Sequence, residues 1–177
     1  HQVLCGHVGD EEKNVKEIPE NRTAALLDLL ENYAGKAVIW CSYDHSVRKV
    51  SLALERAFGD PNAVGFVEDG VVARFWGGNE KTRETEVRRL KSDPRVRFCV
   101  AAPDAGRYGN TWDVADLAVY YSSKDNLDHR EQSEQRTMGV EKNRGVDNVD
   151  LVCPDTVEWR RDGGPSILMS LRKKINM

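Results

Sequence analysis

Two glycines, Gly106 and Gly109, stand three residues apart in the loop Ala105-Gly106-Arg107-Tyr108-Gly109-Asn110-Thr111. The loop ends an apolar run, Val96-Arg97-Phe98-Cys99-Val100-Ala101-Ala102, that reads as a buried strand. Glycines so placed let the backbone approach a ligand closely, with amides free to face an anion. A second apolar run, Leu117-Ala118-Val119-Tyr120-Tyr121, is followed by a polar segment holding Gln132 and Arg136. Side chains of a helix there would project near the same edge of the sheet, where ligands of open α/β sheets bind.

Lys36-Ala37-Val38-Ile39-Trp40-Cys41 predicts another buried strand, delivering Ser42 and Tyr43 to that edge. Gly35-Lys36 is not a Walker phosphate loop, because that pattern needs a glycine where Leu30 stands. Further on, Gly77-Gly78-Asn79 leads into a charged helical segment carrying Lys81, Arg83, Arg88, Arg89 and Lys91. Such a face reads either as a solvated mixed-charge surface or as a stripe facing phosphates.

These stretches resemble the second RecA-like domain of superfamily-two helicases. The nearest likeness is to the Snf-type branch of chromatin remodellers and many bacteriophage helicases. Motif V there reads roughly Ala-Gly-Gly-x-Gly-Leu-Asn-Leu, against 105–112 here. Motif VI reads Gln-x-x-x-Arg-x-x-Arg-x-Gly: Gln132 and Arg136 fall in place, and Gly139 replaces the second arginine. Ser42 matches motif IV, and Gly78 with Arg83 matches a glycine–arginine helix entry.

The resemblance implies the second motor domain of an ATP-dependent DNA helicase or translocase. It implies a catalytic Arg136, acting as an arginine finger with Gln132 beside it, because a guanidinium keeps its charge and stabilises transferred phosphoryl oxygens. Gly106 and Gly109 would be nucleotide-binding, in a loop that contacts the nucleic-acid backbone and relays the nucleotide state. Ser42, Gly78, Arg83, Arg107, Asn110 and Thr111 would contact nucleic acid. ATP and Mg2+ would be held mainly by an N-terminal RecA-like helicase domain of the same polypeptide, and not by this fragment alone. DNA would bind this fragment weakly, in the cytoplasm of a bacterial or phage-infected cell. The competing reading is a free-standing α/β ligand-binding domain or small enzyme using the crevice near Gly106 and Gly109.

The 177 residues suit one well-buried domain. At 31% charged, 40% hydrophobic and net charge −3, the chain is an ordinary globular sequence with no global nucleic-acid signature. No apolar run approaches membrane-spanning length. Cys5, Cys41, Cys99 and Cys153 lack metal-ligand spacing and read as buried free thiols, so no metal is expected. Asp10-Glu11-Glu12-Lys13 lacks the preceding apolar strand that a metal-binding acidic box needs. The start at His1 reads as a piece cut from a longer chain or a processed product.

Residues 1–20 predict an N-terminal arm or hairpin, and 21–177 the RecA-like domain. Ala25, Leu26, Leu29, Leu30 and Tyr33 predict a helix ending at Gly35. Ser46 is the expected cap of a second helix with Val47, Val50, Ala53, Leu54, Ala57 and Phe58 on its apolar face. Segments 63–67 and 71–76 predict a hairpin around Glu68-Asp69-Gly70. Asn79 is the expected cap of a helix over 80–92. Segment 149–153 predicts the last strand, and 166–175 a terminal helix. This alternation argues a three-layer α/β domain with a mostly parallel central sheet flanked by helices.

Overall fold

The computed structural model describes residues 2–9, 15–105, 112–124, 126–138 and 145–175. Near the start, β1 (His7–Gly9) and β2 (Val15–Glu17) pair antiparallel after a short 3-10 turn, Gln2–Cys5. The turn buries Cys5 completely and β1 buries His7, so this hairpin is pinned to the core rather than free in solvent.

Four short strands form the centre: β3 (Ala37–Trp40), β4 (Val72–Phe75), β5 (Phe98–Ala101) and β6 (Leu117–Tyr120). All their residues are buried, as expected of strands covered on both faces. A fifth strand, β7 (Asp147–Asp150), is polar and lies at the edge. The sheet order is β4-β5-β3-β6-β7, and every pairing is parallel.

Alternate side chains serve opposite faces. Ala37, Ile39, Val72, Phe98, Val100 and Val119 pack with Leu26 and Leu30 of α1 (Arg22–Glu31) and with Val47, Val50 and Leu54 of α2 (Asp44–Phe58). Val38, Trp40, Phe75, Cys99 and Tyr120 pack on the other face with Val87 and Leu90 of α3 (Arg83–Ser92) and with Trp112. On that face Ser133 of α4 (Leu127–Met138) shares a hydrogen bond with the Tyr120 hydroxyl at 2.9 Å. The last helix, α5 (Ile167–Ile175), buries Leu171. The architecture is the three-layer RecA-like α/β domain.

Four expectations are corrected. Segment 63–67 forms no strand. Its carbonyls, and that of Gly70, are taken by arginine side chains instead: Arg56 Nε donates to Ala63 O (2.7 Å), Arg74 to Val67 O (3.3 Å) and Arg89 to Gly70 O (2.7 Å). The strand that would close the hairpin, β4, pairs in parallel with β5. Ser46 is no cap, since α2 begins at Asp44 after an extended Tyr43, and Ser46 lies buried in the first turn. Asn79 is not a helix cap either, because α3 begins only at Arg83. Its side chain braces the end of β4, accepting from Trp76 N (3.0 Å) and donating to Arg74 O (2.7 Å). The last strand starts two residues and ends three residues earlier than expected. An edge position tolerates the polar Asp147-Asn148, and Val149 pairs opposite Val119.

Candidate functional site

In an all-parallel sheet the carboxyl ends of the strands share one edge. Ser42 follows β3, Trp76 to Gly78 follow β4, and 122–124 follow β6. A short 3-10 turn, Pro103–Ala105, follows β5. The expected loop contacts Gly106, Arg107, Gly109, Asn110 and Thr111 lie outside the described residues, as does Gly139.

Arg136 lies on α4, half-buried, with its guanidinium carbon 5.7 Å from the Trp112 ring centroid and 6.0 Å from that of Phe75. Its carbonyl accepts the Trp112 N–H at 2.7 Å, which ties the helix to the chain entering β6. Burial lowers its pKa from the ordinary arginine value. Among the described residues it pairs with no carboxylate. Gln132, one helical turn earlier on α4, is exposed.

Arg83 approaches the same ring from α3, with its guanidinium carbon 5.4 Å from the Phe75 centroid. Its Nε donates to the Trp76 carbonyl at 2.8 Å. Gly78 is exposed, and a Cβ there would overlap the Trp76 indole, so only glycine lets the chain lie on that ring. The structure thus brings Arg83, Arg136 and Gly78 around the tip of β4.

Ser42 belongs to a separate cluster. Its N–H donates to Ser122 Oγ (2.8 Å) and its hydroxyl donates to Ser122 O (2.9 Å), stitching the ends of β3 and β6 together. The hydroxyl proton is spent inside the protein, which leaves only acceptor capacity for a ligand. A cleft beside it is lined by Asp104, Lys124, Asn126, His129 and Arg130. Asp104 lies 2.8 Å from His129 Nδ1 and 3.2 Å from Lys124 Nζ. Arg130 pairs with Asp150 (2.5 Å) and Glu134 (2.6 Å), 3.5 Å above the Tyr120 ring centroid. Burial drives its pKa down, but the Asp150 bond and the nearby negative groups leave it raised.

Sequence reasoning passed over Arg130, Asp104, His129 and Arg48. Only the i,i+4 partner Glu134 of Arg130 was visible in the spacing. Asp150, twenty residues away, was not. Among the described residues no group of three His, Cys, Asp or Glu is placed to hold a metal ion. None of their helices is long and apolar enough to cross a membrane.

No protein-family model matches this sequence, and no curated protein matches it. Solved structures do share its fold. One is the C-terminal part of the Fun30 ATPase domain, with TM-score 0.62 and 16% identity over 77% of this chain and 42% of that one. Another is the Sulfolobus solfataricus SWI2/SNF2 ATPase core in complex with dsDNA, with TM-score 0.57 and 20% identity over 77% of this chain and 26% of that one. The chain spans less than half the length of either, and at these identities the likeness is one of fold.

Proposed function

We propose that this chain is the second motor domain of an ATP-dependent DNA helicase or translocase of the Snf type. One observation carries the reading: Arg136 is half-buried on aromatic faces at the ligand-binding edge and pairs with no carboxylate among the described residues. A guanidinium used as a structural pin spends its donors inside the protein, as Arg130 does on Asp150 and Glu134 and Arg56 does on Ala63 O, whereas the Arg136 side chain donates to none of the described residues. One kept free suits an anionic partner that arrives from outside. Arg136 fits the oxygens of a nucleotide polyphosphate, and ATP, when held by a first motor domain, would supply the phosphoryl group. Gln132 is exposed beside it. Arg83 and Gly78 fit the backbone of a bound strand.

The chain lacks a Walker loop, so the purified 177 residues turn over no ATP. In a protein that also carries the first motor domain, Arg136→Ala should leave ATP affinity nearly unchanged. Turnover should fall by roughly 10³–10⁵, the range found for dissected arginine fingers. Normal turnover with a lowered melting temperature would make Arg136 a packing residue and defeat the reading.

A further inference from the structure

Arg48 is exposed on α2, outside every motif considered above. In this acidic chain many described arginines pair with a carboxylate: Arg22 with Glu158, Arg74 and Arg89 with Glu86, Arg95 with Asp93, Arg130 with Asp150, Arg160 with Asp162 and Arg161 with Asp155. Arg48 has no such partner among the described residues. Its guanidinium carbon lies 4.5 Å from the Trp76 ring centroid and 5.6 Å from that of Phe66.

The bland role for Arg48 would be to fasten the 63–70 segment over Trp76. That segment is already fastened by Arg74, which stands 4.5 Å from the Phe66 centroid and donates to Val67 O. Arg56 and Arg89 hold its two ends by their hydrogen bonds to Ala63 O and Gly70 O. The N–H donors of Arg48 are spent on none of the described residues. Stacking on a ring keeps the planar fork oriented while leaving its donors free for phosphate oxygens.

Trp76 also carries Arg83, through its carbonyl. One residue therefore holds two cations that lack carboxylate partners among the described residues. Its ring packs in the core of the α1–α2 face, whereas Phe75, beneath Arg83, packs in the opposite core. The tip of β4, with exposed Gly77 and Gly78, lies between the two layers.

We propose that Arg48, seated on the Trp76 ring, and Arg83, hung from the Trp76 carbonyl, grip the phosphodiester backbone of a nucleic-acid strand crossing Gly77 and Gly78. The proposal rests on the nucleic-acid reading above and adds Arg48 to the contact surface. The contact is to phosphate and so reads no sequence.

The test is a salt series of duplex DNA binding by the 177-residue chain, starting at low ionic strength, with Arg48→Gln, Arg48→Lys and, as a charge-matched control, Arg160→Gln. Loss of one phosphate contact should flatten the log–log salt slope by about 0.9 in Arg48→Gln. Arg48→Lys, which keeps the charge, should retain most of the slope, and Arg160→Gln should retain all of it. An unchanged slope in Arg48→Gln, with the parent chain binding DNA, would overturn the Arg48 contact and leave the wider reading standing. Equal flattening in Arg48→Lys, accompanied by a lowered melting temperature, would overturn it in favour of a packing role. No binding by the parent chain at the lowest salt would remove both readings together.

Discussion

Arg22 and Glu158 form a buried ion pair that joins the first turn of α1 to the segment before α5, 136 residues further along the chain. The Arg22 guanidinium also donates to Tyr121 O at 2.5 Å, and Glu158 accepts the Cys153 N–H at 2.8 Å. Both side chains are at most 5% exposed. Removing one partner strands a charge, and such losses run to about 3–5 kcal/mol. Arg22→Ala and Glu158→Ala should each lower stability by that order in urea unfolding. The apolar double variant Arg22→Met with Glu158→Leu should recover much of the loss, because it leaves no buried charge alone.

Gly70 stands against a second buried carboxylate. Glu55 accepts the N–H groups of Val71 (3.1 Å) and Val72 (3.0 Å), and a Cβ at Gly70 would overlap that carboxylate. Gly70→Ala should therefore displace Glu55 and orphan two amides at the entry to β4. The cost is about 1–3 kcal/mol for each group left unsatisfied. In a Glu55→Ala background the same substitution should cost far less, and a double-mutant cycle on unfolding free energies would measure that coupling.

His7 gives the fold an acid limit. It is buried, with its ring centroid 5.3 Å from Tyr43 and 4.8 Å from His45, and Glu17 and Lys49 also face it. Burial is the main cause that lowers its pKa below the ordinary 6.5. The unfolded chain therefore takes up the proton first as pH falls. The stability contributed by neutral His7 is complete above 6.5 and is lost as pH drops through the lower folded value. His7→Phe should flatten the fall in melting temperature over that acid range, and an unchanged profile would discard the assignment.

The thiols set an alkaline limit. Burial pushes Cys5 from 9.0 up to about 11, against the opposing pull of Arg22. The folded state holds that proton longer than the unfolded chain, so this contribution is present below 9 and fades as pH rises towards 11. Burial also raises the pKa values of Cys41 and Cys99. Cys153 alone of the four free cysteines is only half-buried. Brief alkylation of the native chain near neutral pH should modify Cys153 first. Cys5, Cys41 and Cys99 should react only on unfolding, as peptide mass mapping would show.

The sequence alone determined the layers. Strands buried on both faces must be continuously apolar, and the runs around Ala37–Trp40, Phe98–Ala101 and Leu117–Tyr120 could be little else. Leu26 and Leu30 on α1, and Val47, Val50 and Leu54 on α2, announced their buried faces by helical spacing. Tertiary structure decided what local pattern does not encode. The 63–67 segment has strand composition, yet Arg56 and Arg74, each seven residues away, bind its Ala63 and Val67 carbonyls, and β4 pairs in parallel with β5. The resemblance to motif VI singled out Arg136 as a candidate. Only packing shows that its guanidinium rests on Phe75 and Trp112, whereas Arg130, six residues earlier, is spent on Asp150. Arg130 and Arg22 are neutralised by Asp150 and Glu158, 20 and 136 residues away, partners that only the crossovers bring within a few ångströms.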